Sequence, residues 1–310
     1  MVKMEGKAVV IGSLNYDIIL KTDRMPYKGE THQAKSAEFC CGGKGGNQAV
    51  QCARLGIKTY MAGNVGMDVN GLKLLEGLQK YGVDTEFVKR RNGSSGMGVV
   101  HTLPDGSVYA SITRGANYSM GTEDIDGIGC LLDEHTVVIL QMEIPEEVIR
   151  YAIETAAKAG CTILFNMAPA AKIHKRYMKL CGYLIMNEVE AEFYTGEAID
   201  SVEKAEEALK RFAGEMGNVC IFTLGSLGAV ACKGERLCYK GSYPVAAVET
   251  TGAGDSFVGG LAYGILNHME LEDMLDLATC CSALTVQDTG AQDSMPDIGQ
   301  VLDFRNKWLK

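Results

Sequence analysis

One short stretch, Glu249-Thr250-Thr251-Gly252-Ala253-Gly254-Asp255-Ser256-Phe257, joins a turn of nearly bare backbone to a carboxylate and then to an apolar segment of helical character. Gly252, Ala253 and Gly254 let a ligand approach the chain closely. If Gly254 and Asp255 open a helix, its unpaired N–H groups and positive dipole end form a site for an anion, phosphate above all. A carboxylate there meets like charge, which a protein tolerates if the group does chemistry, such as accepting a hydroxyl proton during phosphoryl transfer. The alternative is an ordinary Gly-rich loop with Asp255 as a helix N-cap. A helix N-terminus stabilises the anion, so Asp255 is expected to be a weak base. A loose transition state needs little early proton abstraction and accepts such a base.

A second cluster, Gly42-Gly43-Lys44-Gly45-Gly46-Asn47, precedes the first helical segment. It fails the Walker pattern, because Lys44 is not followed by Ser or Thr, and it fails the dinucleotide fingerprint. It does offer bare backbone, one cation and one amide, suited to hydrogen-bonding a polyol. Asn15, Asp17, Asn47 and Glu143 add donors and acceptors for sugar hydroxyls. Asn187-Glu188-Val189-Glu190 and Thr223-Leu224-Gly225-Ser226-Leu227-Gly228 follow further strand patterns. Each cluster taken singly also reads as a plain turn or cap. Five of them at the carboxyl ends of predicted strands, where open α/β sheets hold ligands, point to one composite site.

The elements that must position these groups alternate. Strands are expected at 7–12, 59–65, 137–141, 161–166, 183–186 and 219–224, the last followed by a hairpin across 233–235 that runs on to 248. Helices are expected at 46–55, 68–81, 145–159, from 188, at 201–216 with a Ser201 cap, and at about 254–267, 271–287 and 297–308. Repeated β-α-β units predict a parallel sheet covered by helices on both faces. Residues 16–39 and 96–112 have a different, strand-like texture, the latter alternating around a Pro104-Asp105-Gly106 turn, and suggest a small separate sheet. No linker or repeat interrupts residues 1–310, which read as a single domain with that sheet appended.

The 310 residues, 46% hydrophobic and 22% charged, describe an ordinary globular chain. A net charge of −9 argues against a nucleic-acid partner. No apolar run approaches the length of a membrane span, and the N-terminus does not resemble a signal peptide. Eleven cysteines without C-x-x-C spacing fit a reducing cytoplasm. Cys52, Cys130, Cys161 and Cys220 read as small core residues. The five histidines show no ligand spacing.

The two Gly-rich motifs, in this order and at this separation, identify a resemblance over nearly the whole chain to the ribokinase-like (PfkB) family of ATP-dependent carbohydrate and nucleoside kinases. Asn187-Glu188-Val189-Glu190, Thr223 to Gly228, Gly115-Ala116-Asn117 and Ala168-Pro169-Ala170 add to it, the last two favouring the ribokinase branch. The resemblance implies a three-layer α/β fold with a mostly parallel central sheet, and a β-sheet lid over the sugar formed from about 16–38 and 96–115. It implies phosphorylation of D-ribose at the 5-hydroxyl by ATP; other sugars of this family's range are 2-deoxyribose, fructose-type sugars and nucleosides. Asp255 would be the base, and the amides of Gly252, Ala253 and Gly254 an anion hole. Asn15, Asp17, Gly43, Lys44, Asn47 and Glu143 would hold the sugar. Asn187 and Glu190 would position ATP phosphates and hydrated Mg²⁺, while Thr223, Leu224, Gly225, Ser226, Gly228, Gly254 and Thr279 would line the nucleotide site. Glu249, Thr251, Thr285, Asp288, Gly290 and Ser294 would surround a monovalent cation, K⁺. A homodimer through the lid sheet is also implied. Glu249 stands where the family usually has Asp, Gly46 where Ala or Phe is common, and Thr279 where some members carry His. A nucleotide-binding dehydrogenase would need a dinucleotide fingerprint, which follows no strand here. A silent sugar sensor would not need the intact Asp255.

Overall fold

The computed structural model describes residues 6–104 and 108–308. The first half runs β1 (Lys7–Ile11), β2 (Asn15–Lys21), β3 (Ser36–Gly42), α1 (Lys44–Arg54), β4 (Lys58–Gly66), α2 (Val69–Lys80), β5 (Val88–Arg91), β6 (Met97–Thr102), β7 (Val108–Thr113) and α3 (Thr122–Gly127). Then come β8 (Thr136–Leu140), α4 (Glu146–Lys158), β9 (Thr162–Asn166), α5 (Lys175–Met178), β10 (Tyr183–Asn187), α6 (Glu188–Thr195) and α7 (Val202–Met216). The chain closes with β11 (Val219–Thr223), β12 (Ala229–Lys233), β13 (Arg236–Lys240), α8 (Ala253–Leu266), α9 (Leu271–Thr285) and α10 (Ile298–Trp308).

Among the described residues the strands form two sheets. The larger has the order β13-β12-β11-β10-β9-β8-β1-β4-β5, parallel from β11 to β5 and antiparallel at β12 and β13. Its central strands are apolar throughout because both faces are covered. Val9, Ile11, Val138 and Leu140 pack into the core beneath α4 and α7, while Ala8, Val10, Val137 and Ile139 pack into the core beneath α1, α8 and α9. The smaller sheet, β3-β2-β6-β7, pairs Tyr16 with Cys41 and Val99 with Ser111. This is the three-layer α/β architecture with a separate small sheet that the sequence predicts; the small sheet reaches on to Gly42. The predicted turn at 104–106 lies partly outside the described residues.

Three local expectations are corrected. The first helix begins at Lys44 rather than at residue 46, because Gly43 at φ 82° serves as its N-cap. The hairpin beyond 233–235 ends at Lys240 and does not run on to 248. Cys130 is exposed and Cys161 half-buried, so neither is a core residue like Cys52 and Cys220; Cys130 sits in the short helical turn after α3, at the surface.

Helix α8 is the element that brings distant parts of the chain together. It is nearly all apolar and small, and it lies between α1 and α9. At Gly259 an added Cβ would fall 2.3 Å from Gln51 Cγ of α1, so the Gln51 side chain packs directly on the bare backbone of α8 there. At the far edge α10 docks through Arg305, whose Nε donates to Asp276 Oδ2 at 2.5 Å, and through Phe304 and Trp308, with ring centroids 5.1 and 5.5 Å from Tyr243.

Candidate active site

The neighbouring parallel strands β11, β10, β9, β8 and β1 deliver their carboxyl ends to one edge of the sheet, in that order. The chain leaves β1 at Ser13, β8 at Gln141 to Glu143, β10 at Asn187 and β11 at Thr223. Two cavities open along this edge. One, of ≈ 210 Å³, is bounded by Ser13, Asn15, Asn117, Met142 and Glu143 with Ile112 to Arg114 from the end of β7. The other, of ≈ 540 Å³, is bounded by Asn187, Thr223, Gly225, Ser226, Gly228 and Thr279, with Ala253 and Gly254 at one end and Tyr243 and Val245 on a wall.

The smaller cavity is dense in oriented polar groups. Asn117 Nδ2 donates to Asn15 Oδ1 at 2.8 Å, and Leu14 N donates to Asn117 Oδ1 at 2.9 Å. Both asparagines are buried, and the pairing leaves the Asn15 amide nitrogen as its donor end. Ser13 Oγ donates to Glu143 Oε2, which also accepts from Lys44 N at 3.3 Å. Asp17, on β2, accepts from Gly98 N at 2.7 Å. Burial lifts the Asp17 carboxyl to about 6 against the pull of that N–H, and nearby Glu143 adds repulsion.

Gly43 cannot be replaced without rearrangement: besides its positive φ, a Cβ there would lie 2.7 Å from Asn15 N. This close fit puts Lys44 at the first turn of α1. Burial lowers the Lys44 ammonium, but Asp255, Glu143 and Glu190 together raise it above its usual range, so it is held as the cation among three carboxylates.

Helix α8 opens at Ala253, with Gly252 at φ 81° as its N-cap. Asp255 therefore sits inside the first turn and is not the N-cap. Its carboxylate faces α1: Asn47 Nδ2 donates to Oδ2 and Gln48 Nε2 donates to Oδ1, each at 2.9 Å. The expectation of a weak base is also corrected. Burial pushes the Asp255 carboxyl above the ordinary range and outweighs Lys44 and the two amides, with Glu143 adding to the rise. The Ala253 N–H donates to Thr250 O at 3.3 Å, a long turn bond.

At the larger cavity Asn187 and Glu190 form a reciprocal cap of α6: Glu190 N donates to Asn187 Oδ1 at 2.9 Å and Asn187 N donates to Glu190 Oε2 at 2.8 Å. Burial raises the Glu190 carboxyl in spite of this cap and Lys44. Leu224 departs from expectation, because its side chain is in the core and only its backbone shapes the turn, donating from N to Gly228 O at 2.8 Å. In the region expected to hold a monovalent cation, Glu249 Oε2 accepts from Gly290 N at 3.0 Å, and Ser294 N donates to Gly290 O at 3.3 Å. Thr251 and Asp288 are exposed, and the Thr285 hydroxyl is turned inward, within hydrogen-bond distance of Ser256 Oγ at 2.8 Å and Cys281 O at 2.9 Å. Among the described residues no group of three or more His, Cys, Asp or Glu side chains gathers as a direct metal cage.

Sequence reasoning missed Ser13, Arg114 and Met142 at the smaller cavity, Tyr243 and Val245 at the larger, and Gln48 beside Asp255. Ser13 had one available signal, its place directly after a predicted strand. Gln48, inside an expected helix, had none.

The family description "pfkB family carbohydrate kinase" matches residues 5–298. A ribokinase of Schizosaccharomyces pombe is 35% identical over 307 residues, covering 94% of this chain and 96% of its own length. A deoxyribokinase of Salmonella typhi is 33% identical over 297 residues, covering 95% and 97%. The solved structure of Arabidopsis thaliana ribokinase, complexed with ribose and ATP, superposes with a TM-score of 0.88 at 31% identity and covers 97% of this chain and 98% of its own. On this fold, these matched residues and these relatives, the chain belongs to the pfkB family of carbohydrate kinases as a ribokinase-like member.

Proposed function

We propose that this kinase transfers the γ-phosphoryl group of ATP to the 5-hydroxyl of D-ribose, giving ribose 5-phosphate and ADP. One observation carries the reading: a cavity the size of a small sugar reaches Glu143, a larger cavity reaches Gly254, and the buried Lys44 ammonium interacts with Glu143 of the first cavity and with Asp255, the residue after Gly254. Asp255 takes the hydroxyl proton as the sugar oxygen bonds to phosphorus; the bond to the β,γ-bridging oxygen breaks and ADP leaves with that electron pair. A carboxyl raised by burial suits this role better than a weak base, since catalytic groups work best with a pKa near the operating pH. Backbone N–H groups of Gly252, Ala253 and Gly254 stabilise the charge on the transferring group, with the Lys44 ammonium beside them.

Ribose is favoured over a sugar with fewer hydroxyls by the number of oriented groups at the smaller cavity. Asn15, Asn117 and Glu143 line it, Asp17 stands nearby on β2, and each missing hydroxyl would leave one of their donors or acceptors unmatched. The second reading, 2-deoxyribose, rests on the deoxyribokinase relative; fructose-type sugars and nucleosides complete the range. ADP release measured with ribose, 2-deoxyribose, fructose and adenosine decides among them. Ribose is expected to give the highest kcat/KM, and release with adenosine but not ribose would overturn the assignment.

Mg²⁺ fits the site as a hydrated ion: with one Glu190 oxygen committed to its cap, the other can meet a metal-bound water beside the Asn187 turn. Bound there, Mg²⁺ neutralises charge on the nucleotide phosphates. K⁺ fits less of the expected set, namely Glu249, Gly290 and Ser294 with the carbonyl oxygens around them. The protein is further proposed to act in the cytoplasm, all eleven cysteines being free, and to pair with a second copy through the small sheet.

A further inference from the structure

Asn47 and Gln48 are neighbours in sequence, yet both reach Asp255, one to each carboxylate oxygen. Each of these amides is itself held from behind. Gln292 Nε2, from the loop between α9 and α10, donates to Asn47 Oδ1 at 3.2 Å. Gln141 Nε2, just beyond β8, donates to Gln48 Oε1 at 2.6 Å. The result is a buried chain of five side chains, Gln292–Asn47–Asp255–Gln48–Gln141, none more than 7% exposed.

The direction of this chain is forced. An ionised Asp255 can only accept, so both α1 amides must turn their NH₂ groups toward it, and their oxygens then need donors. Gln141 and Gln292 supply them. The orientation leaves Gln141 Oε1 buried without a hydrogen-bond partner. Such an orphan is costly, and turning the amide over would oppose two oxygens across the 2.6 Å contact instead. The molecule therefore accepts an unsatisfied atom in order to present a donor to Gln48.

We propose that Gln141 and Gln292 are positioning residues for the phosphoryl transfer, acting through Gln48 and Asn47 to fix the plane of the Asp255 carboxylate and to favour its anion. This rests on Asp255 being the base. Neither glutamine donates to Asp255 itself; each sets the amide that does. The charged groups facing Asp255 are Lys44 on α1 and Glu143 after β8, and the amide chain supplies the neutral donors between them. Once Asp255 has taken a proton, both its neighbours still present N–H, so the acid has no acceptor among them and is poised to give the proton up.

The test uses Gln141→Met and Gln292→Met in the full-length enzyme, with kcat followed against pH at saturating sugar and ATP. Each is expected to lower kcat roughly 10- to 100-fold, to change either KM less than about twofold, and to move the acidic limb of the kcat profile to higher pH as the carboxylate loses support. A lower kcat with an unmoved acidic limb, or an effect confined to KM, overturns the proposal. If one variant fails to fold, the other decides, because the two arms reach Asp255 from opposite sides. Asp255→Asn serves as the control. Undiminished turnover there sinks the base assignment itself, whereas lost turnover there with wild-type kcat and pH profile in both glutamine variants sinks only the positioning role.

Discussion

The two acids proposed for base and sugar contact, buried Asp255 and half-buried Asp17, sit in different surroundings. Asp255 meets neutral amides and a lysine, Asp17 a single backbone N–H and a repelling glutamate. Asp255→Asn is expected to cut kcat by roughly 10²–10⁴-fold with ATP affinity retained, which calorimetric titration of nucleotide into the variant checks. For Asp17 the folded pKa of about 6 lies above the unfolded value, so the folded state binds more protons between about pH 4 and 6. Asp17 therefore costs no stability below that window, and its cost grows as pH rises through it. Asp17→Asn should remove that part of the slope, seen as a difference in Tm against pH between the two proteins. With Asp17 in its proposed sugar-holding role, KM for the sugar should climb as pH falls below about 6, and the dependence should vanish in Asp17→Asn. Gly254-Asp255 was legible in the sequence because bare backbone beside a carboxylate is informative by itself. The strengthening of that base was not, because burial and the Asn47 and Gln48 contacts come from a segment more than two hundred residues away.

Single elements carry sharp geometric conditions. Gly43→Ala must force a Cβ against Asn15 N at a positive φ, which should cost about 2 kcal/mol or more in a denaturant titration and raise the sugar KM in whatever folds. Helix α10 supports the larger cavity, the proposed nucleotide site, from outside: Phe304 packs on Tyr243, and the Tyr243 hydroxyl donates to Asp276 Oδ1 at 2.6 Å. Phe304→Ala should raise the ATP KM several-fold and leave the sugar KM in place; the reverse pattern would detach Tyr243 from nucleotide binding. The long strands and helices were legible because their apolar periodicity is strong. The short β5, α3 and α5 were not, since four to six residues carry too little pattern, and the start of α1 was hidden by glycines that read as loop until Gly43 is seen capping them.

At the scale of the whole molecule, the order of strands decides which clusters become one site. The ends of β10 and β11 border the larger cavity and those of β8 and β1 the smaller, with β9 between the two pairs. The alternation of strands and helices predicted a parallel sheet, but nothing local in the sequence states that β1 inserts between β8 and β4. The proposed pairing of two copies belongs to this scale as well. Phe39, on the edge strand β3, is 59% exposed, and Phe39→Asp should shift sedimentation from a dimer to a monomer, whereas a wild-type monomer would rule the pairing out. Trp308, the chain's single tryptophan, stands against Tyr243 on the wall of the larger cavity. Its emission therefore comes from one known place, and light absorbed by tryptophan alone turns the enzyme into its own dye. Nucleotide should change the colour or brightness of that emission and sugar alone should not, so the order in which the two substrates arrive can be followed optically without a label.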